Sequence, residues 1–295
     1  MDIVMHFKEK NKKTLQGIYV ILFLMLGYGL YKNGISYILI GKENMGEVLR
    51  LLLYPFLAVF SHVLTNLIQK KKPFSNIYEG LFLGLIVPPS FPLWAFTLIL
   101  IGYTFIQCIH LKLPISKGLF FKILICLTSL IFAISYENQI ESSTPYLYGT
   151  IDLFLGRSVG NFGTTCILLL LILCIILSTD FYYKKELPIY AICGFFLPAL
   201  FYGIINPNYA FLREILNSHL WVTAIIFLPI NEYSPVLKKA KIGYGFLVGL
   251  VSFFLTEILH IVDGPYYALA IMQLLFVLTR KLWIQKKTIV YAKKV

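Results

Sequence analysis

The chain has 295 residues, 58% of them hydrophobic, with a mean hydropathy of +0.78. Charged residues make up 14%, where a soluble domain carries about a quarter, so a soluble enzyme or a nucleic-acid-binding module is excluded. The net charge of +12 therefore reads as membrane topology, because the basic residues flank apolar runs.

The apolar runs predict an all-α polytopic membrane protein of about ten transmembrane segments. In chain order they are 15–40, 47–69, 78–88, 92–110, 118–136, 162–179, 187–205, 216–230, 242–261 and 265–284. A basic stretch precedes the first run, but no small-residue cleavage site follows it, so it reads as a retained span. The third is short: in GLFLGLIVPP, residues 80–89, two prolines stop the helix early. The eighth is also short and ends at Pro229. EGLFLGLIVPP (79–89) and GNFGTTCILLL (160–170) are both glycine-led, one in each half of the chain. Paired interrupted segments suggest half-helices and an inverted repeat.

If each run crosses once, the N-terminal side collects 21 basic residues, Lys122 and Lys184 among them, and the opposite side five: Lys32, Lys42, Arg50, Arg157 and Arg213. The positive-inside rule then makes both termini cytoplasmic. The expected organisation is a cytoplasmic segment 1–14, a single transmembrane domain 15–284 and a basic cytoplasmic tail 285–295. The longest external connection is 137–160, and it contains the polar strip NQIESSTPYLYG (138–149). Long loops are functional or disordered. Ser142, Ser143 and Thr144 before Pro145 read either as a turn or as exposed hydroxyls able to carry a phosphoester held by backbone N–H groups.

Other chemistry is sparse. The chain has no Walker, HExxH, GxSxG or GxGxxG motif. Its five cysteines, Cys108, Cys126, Cys166, Cys174 and Cys193, lie in apolar runs without CxxC spacing. They read as buried small hydrophobes, with metal ligation by Cys166 and Cys174 as the other reading. Glu257, in FFLTEILHIV, is an acid inside an apolar span and so a candidate for an ion pathway; alternatively it pairs with His260 near the interface. Glu79 is a second ion-pathway candidate, or an ordinary acid at a helix N-terminus. His62 and His110 read as interhelical hydrogen-bonders. Glu257 and His260 alone give a membrane-embedded transferase little acid–base machinery.

A collinear series of motifs carries a resemblance. KKKP…EGLFLGLIVPPSFPLW (70–94), ESSTP (141–145), LFLGRSVGNFGTTCILLLL (153–171), SPVLKKAKIGYGFLVGL (234–250) and GPYYALAIMQLLFVL (264–278) fall in order over roughly residues 50–284. The series resembles the NqrB/RnfD family, in particular the D subunit of Rnf ion-translocating electron-transport complexes; the length also favours that subunit. The resemblance implies a membrane translocase subunit that couples flavin-mediated electron transfer to Na+ or H+ movement. It further implies FMN joined through its phosphate to the hydroxyl of Thr144, beside Ser142 and Ser143, on the external face of a bacterial inner membrane. Its implied partners are the other membrane subunits of the complex and a flavin transferase; a riboflavin or quinone site stays open. The chain departs from the family pattern in several places. Nothing in HLKLPISKGLFFK (110–122) matches the glycine- and asparagine-rich stretch expected there. Thr164 replaces a glutamate, Ile230-Asn231-Glu232 stands for a Thr-Asp-Pro motif, and Ser142-Ser143 replaces Gly-Ala. These departures keep a second reading open, a flavin-free homologue acting as a structural subunit or a small-molecule permease.

Overall fold

The computed structural model describes residues 12–39, 45–109, 113–132, 149–157, 160–180, 183–206, 211–229 and 233–292. All the regular structure among them is helical. Helix α1 runs Lys12–Leu30 and continues through a π turn, Tyr31–Ile35, into Ser36–Leu39. It is followed by α2 (Met45–Ile68), α3 (Ile77–Leu85), α4 (Leu93–Cys108) and α5 (Lys117–Ile131). A short helix, α6 (Thr150–Phe154), leads to α7 (Ile167–Ser178) and α8 (Glu186–Ile205). Another short helix, α9 (Phe211–Ile215), precedes α10, in which Ser218–Val222 continues as a π turn, Thr223–Phe227. Helix α11 (Lys238–Phe253) ends in a π turn, Phe254–Ile258, and α12 spans Gly264–Ala292. Each of the ten expected segments therefore contains a helix.

Four of these helices are long and apolar enough to cross a membrane unaided: Thr14–Ile35, Val48–Ile68, Glu186–Ile205 and Lys238–Ile258. Shorter apolar helices occur at Leu93–Cys108, Ile167–Ser178 and Ser218–Phe227. The outward faces carry large apolar side chains, among them Phe56, Ile101, Phe105, Ile175, Phe201 and Ile204. In water such a surface would drive aggregation; in a bilayer it is the solvated face.

The packing repeats after five segments. Helix α3 packs on α2, and α10 packs on α8. Likewise α2 meets α4 while α8 meets α11, and α4 meets α5 while α11 meets α12. The pairs α1–α7 and α5–α12 join corresponding helices across the two halves. Five crossings is an odd number, so the second set runs inverted to the first. By this order the partner of the half-helix α3 is α10. The glycine-led stretch 160–170 instead enters as a non-helical strip, 160–166, and only then becomes α7.

Helix α3 stops where its sequence requires. Val87 precedes Pro88, which biases Val87 toward extended backbone, and neither Pro88 nor Pro89 has an N–H to continue the ladder. The helix-ending Ile86 N–H still donates to Phe82 O at 3.2 Å. Close helix crossings use glycine: a Cβ on Gly84 would lie 2.3 Å from Pro55 Cα of α2. Such small-residue contacts let membrane helices approach where no hydrophobic force drives them together.

The cysteines are all free. Cys126 and Cys166 are buried, as expected, whereas Cys108 and Cys174 are half-buried and Cys193 is exposed. In lipid an exposed thiol remains among apolar partners, so burial inside the protein is not required of it.

Outside the spans, Lys184 is buried and donates to Ser234 O and Oγ, both at 2.8 Å. Burial, with Lys241 nearby, pushes its ammonium down from the ordinary 10.5 to about 8. Between those values the unfolded chain holds the additional proton, so this group adds stability as pH rises through the window. The detergent-solubilised protein is expected to gain melting temperature relative to Lys184→Met as pH rises from about 8 toward 10.5. Parallel melting curves for the two proteins across that range would count against it.

Candidate functional site

The break after α3 and the strip 160–166 meet inside the helical body. Phe162 N–H donates to Val87 O at 2.6 Å and Gly163 N–H to Leu85 O at 2.9 Å. Close approach requires glycines at this crossing. A Cβ on Gly163 would sit 2.4 Å from Leu85 Cδ2, and one on Gly29 would sit 2.5 Å from Phe162 O. Asn33, in the π turn of α1, donates from Nδ2 to Gly29 O and Phe162 O, both at 3.0 Å. These bonds satisfy part of the strip's backbone without a helix of its own, as irregular backbone at membrane depth requires.

Leu85 O and Val87 O are engaged by the strip, while Ile86 O between them faces elsewhere. It accepts from Lys122 Nζ at 2.9 Å. The same ammonium donates to Asn161 Oδ1 at 2.6 Å and lies 4.9 Å from the centroid of the Tyr266 ring. Asn161 Nδ2 donates to Thr164 Oγ1 at 3.2 Å and to Tyr266 Oη at 3.1 Å. Lys122, Asn161, Thr164 and Tyr266 are all fully buried. Beyond the Tyr266 ring, His219 stacks edge-on at 5.5 Å, and its Nδ1 lies 3.4 Å from Asp263 Oδ1. His219 and Asp263 are also buried.

This places a cation among oxygen dipoles at a helix break. The C-terminal end of α3 adds the negative pole of its dipole, and the Tyr266 ring adds its negative face. Such an arrangement suits a monovalent cation or a mobile proton.

The centre draws on the glycine-led stretch and Thr164, but on none of the site residues expected from the sequence. Lys122 was counted as a topology-setting cation; it is instead an interior residue, five positions into α5. The signal was one lysine inside GLFFKILICL, since an ionisable residue within an apolar run is functional by default. Without Lys122 the N-terminal side still carries the large basic excess. Asn161, His219, Asp263 and Tyr266 become a site only through folding, because they come from three separate stretches.

Glu79 is buried in the first turn of α3, at the end of that helix away from the crossing. Six residues separate it from Leu85, about 9 Å of helix rise. Glu257 sits half-buried on the π turn of α11. Its helix ends at Ile258, and His260 has φ +53°, so the helical i+3 relation does not hold for that pair. His62 bonds through Nε2 to Ser75 O at 3.1 Å, tying α2 to the turn before α3. Thr144, Ser142, Ser143, His110 and the 230–232 motif lie outside the described residues. No group of three or more His, Cys, Asp or Glu placed to hold a metal occurs among the described residues.

A model of the NQR2, RnfD, RnfE family matches residues 116–289, more than half of the chain. The chain belongs to this family. No individual curated protein matches it. Membership points to a membrane subunit of a multisubunit electron-transport complex that moves Na+ or H+. The matched region contains the strip 160–166, Lys122, His219, Asp263 and Tyr266. Thr164, which stands where the resemblance expected a glutamate, is joined to Lys122 through the two ends of the Asn161 amide.

Proposed function

We propose that the protein is the D-type membrane subunit of an Rnf-type complex in a bacterial inner membrane, with FMN carried on Thr144. The observation that carries this reading is the family match over 116–289, which includes the ESSTP strip at 141–145. Ser142 and Ser143 precede the attachment hydroxyl and supply hydrogen-bonding groups beside it. The flavin, when bound, supplies one- and two-electron redox chemistry.

The described residues at the two feet of the loop are anchored, and one of them is basic. Phe132, at the end of α5, is anchored edge-on against Trp94 at 5.5 Å. On the other side α6 closes through Gly156, at φ +93°, where a Cβ would lie 2.7 Å from Cys166 Cα. The next residue, Arg157, is paired with Asp152 at 3.1 Å and its side chain is 67% exposed. An accessible guanidinium at the loop's foot favours the single negative charge of an external phosphodiester.

The charge bias supports both termini on the cytoplasmic side and Thr144 outside. Electron transfer through the flavin would proceed between neighbouring membrane subunits. The test is covalent flavinylation. Protein co-expressed with a flavin transferase is expected to give a fluorescent band after denaturation and an FMN-sized mass increase; Thr144→Ala should give neither. Wild-type protein without fluorescence would support the flavin-free structural subunit instead, and equal fluorescence in the variant would overturn the assignment of FMN to Thr144.

A further inference from the structure

We propose that Lys122 is a built-in cation: its ammonium fills a monovalent-cation site at the crossing of the α3 break and the 160–166 strip. The site's shell includes Ile86 O, Asn161 Oδ1 and the Tyr266 face, at 2.9 Å, 2.6 Å and 4.9 Å.

Four observations lead there. The oxygen of Ile86 is the one carbonyl of the run 85–87 that the strip does not take; those of Leu85 and Val87 bind the strip. Ile86 caps the helix at φ −89° and ψ 9°, so its oxygen is one of the last-turn carbonyls that have no N–H of the helix to accept from. Unwound carbonyls at half-helix C-termini are what hold alkali cations in inverted-repeat membrane proteins.

The second observation is the orientation of Asn161. Its Nδ2 is committed to Thr164 Oγ1 and Tyr266 Oη, which turns its oxygen toward the ammonium. This is an outer layer holding a cation ligand in position, as metal sites require. Third, the two oxygens and the ring face around the ammonium are neutral groups, which suit a single positive charge better than a divalent ion. Fourth, the ammonium reaches the site from the side, along α5, so removing the side chain leaves the shell in place and open. The strip's backbone bonds and the Asn33 clamp do not depend on Lys122.

For the proposed electron-transport role, the consequence is that an alkali cation cannot dwell at this crossing in the wild-type protein. The binding test involves no flavin, so it can fail without affecting that reading, and loss of flavinylation would leave this inference standing.

The test is melting temperature in detergent with NaCl, KCl, methylammonium chloride or choline chloride at equal ionic strength. Wild-type protein is expected to melt alike in all four. Lys122→Ala is expected to melt lower in choline and to recover, saturably, with one of the small cations; choline is too large to enter. Lys122→Met, which fills the space without charge, should show no recovery. Lys122→Ser, which adds a hydroxyl oxygen, is the second small variant and should behave as Lys122→Ala does. Adding Asn161→Ala to either small variant should abolish the recovery. A small-cation effect on the wild-type protein would overturn the proposal, as would small variants that melt alike in every salt.

Discussion

Asn161→Leu is expected to destabilise the protein by about 3 kcal/mol, the range for stripping one partner from a buried charge. The substitution removes the Asn161 oxygen from Lys122 and leaves Thr164 Oγ1 and Tyr266 Oη without the amide they accept from. The ammonium remains on α5, fully buried, with a thinner shell. Asn161→Asp keeps an oxygen toward Lys122 and adds an opposite charge, so it should lose much less. The double variant Lys122→Met with Asn161→Leu is expected to regain part of the loss. Replacing both members of a buried polar pair by apolar groups removes the desolvation cost together with the bond. Unfolding of the four proteins in detergent closes a double-mutant cycle. An additive cycle would show that Lys122 and Asn161 do not act on each other.

Gly249→Leu is expected to separate α8 from α11 and to cost 3 kcal/mol or more, roughly the upper end for overpacking. A Cβ at Gly249 would lie 2.0 Å from Ala191 O and 2.7 Å from Phe195 N, both backbone atoms that cannot turn aside. The opposing helix makes the reciprocal demand: a Cβ at Gly194 would lie 2.2 Å from Phe246 O. This crossing is the most extensive helix contact in the fold, so its loss should appear as aggregation on size exclusion and as rapid proteolysis. Gly243→Leu provides the control. It lies on the same helix with nothing within 4 Å of its would-be Cβ. There leucine should be neutral or slightly stabilising, since glycine is the poorer helix former by up to about 1 kcal/mol. Equal behaviour of the two variants would show that the crossing is looser than drawn.

The helical class was legible because lipid leaves a chain few choices. Apolar runs of spanning length must satisfy their own backbone, and only helices do so within one segment. Even the early stop of α3 could be read, since the Val87-Pro88-Pro89 sequence carries its own local instruction. The family could be read as well, from motifs that are short, local and collinear. The strip 160–166 was legible as glycine-led, yet its partner was not. Glycine tells that something approaches closely, and the three-dimensional path decides what. Here it is the α3 break, while the half-helix that matches α3 by order is α10.

The charged residues show the limit most clearly. On hydropathy alone Lys122 is one more basic residue in a basic chain, and only its neighbours separate it from Lys117, five positions earlier at the start of the same helix. Glu79 and Glu257 stood out in the sequence for the same reason that Lys122 was passed over: an acid is rare here and a lysine common. By itself, then, the sequence determined a helical membrane protein, the early stop of α3 and the family it belongs to, because those depend on local composition and order. Only the tertiary structure decided that Lys122, Asn161 and Tyr266 form one site with His219 and Asp263 beside it. Hydrogen bonds and charge interactions act over a few ångströms of space, whatever the separation along the chain.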